Sequence, residues 1–213
     1  MRAKLINNVT HVDSRGFFQR IFDSDSHAFE NQKLQQINIS DNPKQYTLRG
    51  MHFQVSGYPE HKYISVLRGE ICLVVSNAHL ATNKTNVKNQ YFSLSENSQS
   101  TLFVPSGLAT GWVSLSEDTL ILYLMTSRYE ECHYSGFRYD DDFADINWPA
   151  LPLVVSSKDY SWSPLQGEID EAIEQIKADE AKAEIDKANA RLNAETKLLA
   201  LGLTLDDLKA LGL

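Results

Sequence analysis

Chemistry is concentrated in one short stretch, Leu48-Arg49-Gly50-Met51-His52-Phe53-Gln54. It sets an arginine and a histidine around a glycine, inside a run that otherwise reads as β-strand. His52 has an apolar neighbour on each side, Met51 and Phe53, which fits either a half-buried structural imidazole or a tuned acid/base. Taken alone, the structural reading is the commoner one. Lys62, Tyr123 and Asp159 change the balance. A metal-free acid/base site needs a base, a carboxylate to orient it, a cation for a developing oxyanion and an acid on the other side. His52, Asp159, Lys62 and Tyr123 offer one candidate for each. Each also has a plainer reading. Tyr123, in the apolar run 120–125, fits a core tyrosine with its hydroxyl satisfied. Lys62 fits a strand-end lysine, and Asp159 a turn residue.

These residues are far apart in the chain, so the elements between them must bring them together. Residues 1–160 read as mostly β, with short strands at 16–22, 35–39, 63–67, 70–75, 91–94, 101–104, 112–115 and 119–125. Turn chemistry separates them at 41–43, 68–69, 105–107 and 117–118. A short helix is expected over 24–33, capped by Ser24 or Asp25. Many short strands at this spacing make a sandwich or barrel with Greek-key connections, whose ligand site lies in the mouth. Arg49 and His52 differ in parity, so a flat strand would point them to opposite faces. If both face one ligand, Gly50 must mark a bend or bulge.

A chain of 213 residues suffices for one domain with a sizeable core and an appendage, and the composition shift after Pro164 divides it into 1–165 and 166–213. The formal charge of -8 argues against nucleic acid or a membrane surface as partner, since both attract basic patches. It leaves room for an anionic small ligand held by a few arginines. The cysteines, Cys72 and Cys132, imply no disulfide framework. No secretion-type or membrane-length apolar run occurs, so a cytoplasmic location is expected. His52 and His61 are too far apart for a metal-binding His-x-His pair, and Thr110 stands where a further ligand histidine would. No metal or other cofactor is expected. His11, His27, His79 and His133 sit in polar stretches and read as solvent-facing.

Residues 168–200 are rich in Ala, Glu, Lys and Ile without Pro or Gly, which predicts a long helix. Ile169, Ile173, Ile176 and Ala183 mark one apolar stripe, and Ile185, Ala188, Leu192 and Leu199 another. Glu180 and Lys187 interrupt any strict heptad. Gly202 stops the helix, and Thr204-Leu205-Asp206-Asp207 opens a shorter one to Leu211. The tail is expected to serve association, or to fold back on its own barrel.

With these motifs in hand the chain resembles the dTDP-4-dehydrorhamnose 3,5-epimerase family of cupin-fold sugar-nucleotide epimerases. The resemblance rests on Ser14-Arg15-Gly16-Phe17-Phe18, on 48–54 and on His61-Lys62-Tyr63-Ile64-Ser65-Val66-Leu67-Arg68-Gly69-Glu70. It continues through Val104-Pro105-Ser106-Gly107, Tyr123, Phe137-Arg138-Tyr139-Asp140-Asp141, Ile146-Asn147-Trp148-Pro149 and Ser156-Ser157-Lys158-Asp159. It covers residues 12–160 and leaves the tail outside. It implies a mainly β fold, a cupin (jelly-roll) β-barrel, here with a C-terminal α-helical extension.

It also implies roles. His52 would abstract a proton beside a C4 ketone, Asp159 orient it, Lys62 stabilise the enolate oxygen and Tyr123 return a proton from the opposite face. Arg15, Gln36, Asn38, Arg49, Tyr129 and Lys158 fall on substrate-contacting positions, with Arg15 serving a neighbouring subunit's site in a homodimer or higher homo-oligomer. The chain departs from the pattern at Arg20, where the family usually has a substrate-contacting glutamate, and at Thr110, where it has a site histidine. Tyr134 falls where an acidic contact is common, and Leu73 replaces an aspartate. The implied activity is epimerisation of a nucleotide-linked 4-keto-6-deoxysugar. The alternatives are a sugar-nucleotide 3,4-ketoisomerase, which would carry a second histidine near His52, and a non-catalytic sugar-nucleotide-binding protein with a helical interaction arm.

Overall fold

The computed structural model describes residues 2–23, 25, 33–55, 57–200 and 204, excluding the side chains of 166–176, 195 and 199. Contacts divide the chain into two compact units, Met1–Gln166 and Gly167–Leu213. The first is built almost wholly from strands: β1 (Lys4–Asn7), β2 (Val9–Asp13), β3 (Gly16–Arg20), β4 (Gln36–Asn42), β5 (Thr47–Gln54), β6 (Lys62–Arg68), β7 (Glu70–Ser76), β8 (Asn89–Ser95), β9 (Ser100–Val104), β10 (Ala109–Ser114), β11 (Thr119–Met125), β12 (Tyr134–Gly136) and β13 (Val154–Val155). The helices are α1 (Ser157–Tyr160) and α2 (Leu165–Ala200).

One sheet runs β1-β9-β6-β11-β4 and another β12-β5-β10-β7-β8, with β13 added along β5. Every pairing is antiparallel except that of β13. The inward residues of both sheets share one core. Ile64, Val66, Leu102 and Ile121 come from the first sheet, and Ile71, Leu73, Val75, Leu94 and Trp112 from the second. This is a jelly-roll β-barrel of the cupin type, reached by the period-two alternation of short strands. Leu73, which stands in place of a family aspartate, is fully buried in this core. On the opposite face of the first sheet, Tyr63 of β6 and its neighbour Leu124 of β11 are packed under Ile6, Ile21, Phe22 and Leu34.

Strands β2 and β3 form a separate hairpin that leaves Val12, Phe17 and Phe18 exposed. The helix expected over 24–33 falls largely outside the described residues, as does the short one after Thr204. The long helix begins earlier than its composition indicated. Leu165 is buried and its N–H donates to the Asp141 carboxylate at 2.7 Å, which anchors the first turn despite Gly167. Every described residue from 177 to 194 is exposed. Among the described residues no helix is long and apolar enough to cross a membrane.

Two histidines depart from the solvent-facing reading. His133 is only partly exposed, stacked on Tyr58 and paired with Glu130 at 3.2 Å. His79 stacks on Phe53 with ring centroids 3.8 Å apart, and its Nδ1 is buried without a hydrogen-bond partner. Burial pushes the His79 pKa down to about 4. The unfolded chain therefore binds a proton at this residue near pH 6.5, while the fold does not until about pH 4. Stability is expected to fall as pH drops through that window, by up to about 3 kcal/mol. Urea midpoints across the window test this. His79→Leu should flatten the slope, and an unchanged slope would show that other groups carry it.

Candidate active site

The mouth of the barrel holds a cavity of about 370 Å³. All the residues expected to act there line it except Arg15 and Arg20. Gln36 and Asn38 come from β4, Arg49 and His52 from β5, Lys62 from β6, Thr110 from β10, Tyr123 from β11, Tyr129 from the following loop, and Lys158 and Asp159 from α1.

A bulge resolves the parity problem. Thr110 pairs with His52 but Trp112 with Arg49, so two steps along β10 match three along β5. Gly50 occupies the extra step at φ 141°, a conformation that side-chain-bearing residues rarely adopt. A Cβ there would lie 2.4 Å from the Gly111 Cα. Paired glycines thus let the two backbones touch, and Arg49 and His52 both reach the cavity.

The short helix α1 supplies the carboxylate. The Ser156 side chain caps it by accepting the Asp159 N–H at 3.0 Å. Asp159 is buried, and its Oδ1 lies 2.6 Å from His52 Nε2. Its Oδ2 accepts the Gly50 N–H at 3.4 Å. Burial works to push the Asp159 pKa up, but the His52 ring, the Gly50 N–H and the Ser156 hydroxyl outweigh it, and the carboxyl sits below its ordinary value. An ionised carboxylate only accepts, so in the neutral imidazole Nε2 carries the proton and Nδ1 is the basic nitrogen.

Lys62 is buried beside this pair. Its Nζ donates to Thr110 Oγ1 at 3.1 Å and to the His52 carbonyl at 3.5 Å, and it faces Glu60 Oε1 at 3.6 Å. Thr110 therefore anchors the lysine. Glu60 went unremarked in the sequence, although the Glu60-x-Lys62 spacing in extended chain puts both side chains on one face. Burial pushes the Glu60 pKa up against the opposing pull of Lys62. Across the barrel, the Tyr123 phenol accepts the Trp112 indole N–H at 2.7 Å. Burial drives the Tyr123 pKa upward, countered only in part by Trp112 and Arg49, so the phenol keeps its proton at neutral pH. Tyr134 completes the wall, its ring centroid 5.6 Å from that of His52.

Arg15 and Arg20 lie on the β2–β3 hairpin, paired with Asp13 at 2.6 Å and Asp23 at 3.2 Å, and do not line this cavity. Among the described residues, Glu130, Cys132 and His133 bring potential metal-ligand atoms within 4.8 Å of one another, but none of the three lines the cavity. Cys72 and Cys132 are free thiols.

A cupin-type barrel with an imidazole–carboxylate pair, a buried ammonium and a half-buried phenol around one cavity is equipped for acid/base chemistry at carbon. The sequence model of the dTDP-4-dehydrorhamnose 3,5-epimerase family matches residues 2–167, and the chain belongs to that family. It is 31% identical over 174 residues to the dTDP-4-dehydrorhamnose 3,5-epimerase of Methanothermobacter thermautotrophicus, covering 77% of this chain and 90% of that one. The enzyme of the same name from Sinorhizobium fredii is 30% identical over 177 residues, 82% of this chain and 90% of that one. Among solved structures, the Bacillus anthracis dTDP-4-dehydrorhamnose 3,5-epimerase with TDP and PPi bound superposes with a TM-score of 0.70 at 28% identity, over 76% of this chain and 93% of that one.

Proposed function

We propose that this chain epimerises a nucleotide-linked 4-keto-6-deoxysugar, inverting C3, C5 or both by proton abstraction and return through an enolate. The observation that carries the reading is the His52 Nε2–Asp159 Oδ1 contact of 2.6 Å, opening on the cavity that Lys62 and Tyr123 also line. His52 removes the proton beside the C4 ketone, and Asp159 holds the ring in its tautomer. The C–H is acidic only if the enolate is stabilised, which is the task of Lys62. A base alone supplies about 10²–10⁴ in rate, so the oxyanion interaction must contribute much of the remainder. Inversion requires return from the opposite face, which falls to Tyr123. No metal enters these steps. Loss of His52 or Tyr123 would have favoured a binding-only protein, and both are present.

Gln36, Asn38, Arg49, Tyr129 and Lys158 bind the nucleotide sugar. Arginine forks suit a diphosphate. Arg15 and Arg20 are assigned to the cavity of a second copy, because the hairpin that carries them exposes Phe17 and Phe18 and does not line the cavity of its own chain described above. Arg20 reverses the charge of a family substrate contact and Thr110 shortens another, so the substrate need not be dTDP-4-keto-6-deoxyglucose: a changed base, a longer sugar or a single epimerised centre would each fit these two changes. The proposed setting is a cytoplasmic homodimer or higher homo-oligomer.

Incubation with dTDP-, GDP-, CDP- and UDP-linked 4-keto-6-deoxysugars in D₂O tests the function. Deuterium beside the ketone together with an inverted product is expected for at least one of them. Absence of exchange with the whole panel would overturn the reading. All the cavity-lining residues lie between 36 and 159, so the tail is assigned to association. A chain ending at Gly167 should keep kcat/KM within about threefold, about 0.7 kcal/mol, while its assembly state in light scattering falls. A larger loss of turnover would place the tail in the chemistry.

A further inference from the structure

Trp112 lies on β10, between Arg49 of β5 and Leu73 of β7. Its indole is 3% exposed and packs in the shared core, yet it also forms part of the cavity wall. From there the Nε1–H reaches across the barrel to the Tyr123 hydroxyl of the facing sheet. An indole nitrogen only donates, so the phenol is the acceptor in this bond. The phenol's own proton must then point elsewhere. Among the described residues no protein group accepts it, and Tyr123 lines the cavity.

We infer that Trp112 is a positioning residue for the proton-return step: its indole N–H pins the Tyr123 oxygen and leaves the phenolic proton directed to the substrate carbon. The inference rests on the proposed epimerase reading, with Tyr123 as the acid. The balance is simple. The carbon–carbon π pair of the enolate takes the Tyr123 proton to form the C–H bond, the lone pair of the enolate oxygen re-forms the C4 carbonyl, and the O–H bonding pair stays on the phenol oxygen, which then carries the negative charge. That oxygen already faces the Trp112 N–H, and the hydrogen bond strengthens as charge develops. The stabilisation is therefore greater after transfer than before, which is the kind that accelerates a step. Burial drives the Tyr123 pKa upward, and the Trp112 hydrogen bond opposes that rise. Core packing holds the indole in place, so no reorganisation is needed at the moment of transfer.

Trp112→Phe keeps an aromatic ring in the core but removes the donor together with the five-membered ring, so any packing loss must be separated from the loss of the hydrogen bond by comparing the two steps. In D₂O with a sugar nucleotide that wild type turns over, first exchange at the His52 face should stay within about threefold of wild type, while formation of inverted product should fall about 10- to 100-fold, the size of one charge-assisted hydrogen bond. Equal losses in both would reduce Trp112 to packing, and no loss in either would overturn the inference outright. Wild type inactive on every sugar would instead sink the epimerase reading, and this role with it. Should Trp112→Phe fail to fold, the indole N–H resonance of Trp112 gives a second reading. It should move when Tyr123 is replaced by Phe, and a resonance that stays in place would show that the bond does not form in solution.

Discussion

His52→Asn is expected to lower solvent deuterium incorporation beside the ketone by about 10³-fold or more, while leaving the fold intact. Asparagine matches much of the imidazole's polar reach but cannot take up a proton near neutral pH. The Asp159 carboxylate, held 2.6 Å from His52, would still have an N–H to accept, so its burial is not left uncompensated. Loss of activity with an unchanged melting temperature therefore isolates the base. Asp159→Asn should also be severe, about 10²-fold or more, because an amide no longer requires the Nε2–H tautomer. Tyr123→Phe should behave differently, cutting inversion far more than first exchange, because the proton has already left when the phenol acts. If His52→Asn exchanged at the wild-type rate, the imidazole would not be the base.

Much of this was legible in the residues. Alternating apolar positions such as Ile64 and Val66 gave the barrel strands, since a buried face must repeat every second residue. The stretch around His52, with Lys62, Tyr123 and Asp159, pointed to residues that the fold brings to line one cavity. What was not legible depended on contacts between distant strands. Glu60 draws no notice in the sequence, and only the fold buries it against Lys62. Trp112 is only the first residue of a strand in the sequence until its N–H meets Tyr123 on the facing sheet. His79 sits in a polar stretch, and only the fold brings Phe53 against its ring. The hairpin strand β2 lacks a clean alternation because both of its faces are largely exposed within one chain. Arg15 and Arg20 could be matched to a site but not placed in one, since their side chains leave this chain's cavity altogether.

Gly50→Ala is the substitution expected to damage fold and site together. At φ 141° an alanine is strained, and its Cβ would stand 2.4 Å from the Gly111 Cα and 3.1 Å from the Thr110 carbonyl oxygen. Both obstacles are backbone, so no side chain can swing away. Strain and overpacking together should cost about 3 kcal/mol or more, which in a chain of this size lowers the melting temperature by roughly 6–12 °C. The molecules that still fold must separate β5 from β10 or straighten the bulge. Either movement turns His52 or Arg49 away from the cavity, because the bulge is what brings residues of opposite parity to one face. A displacement of about 1 Å at reacting groups can cost 10²-fold, so kcat/KM should fall by about that factor even after correction for the folded fraction. Gly107→Ala is the control. Its φ is 80° but nothing lies within 4 Å of the added Cβ, so it should lose only about 1 kcal/mol of backbone strain and retain activity. Equal behaviour of the two variants would mean that conformational strain alone matters, and that the close approach of Gly50 to Gly111 does not aim the site.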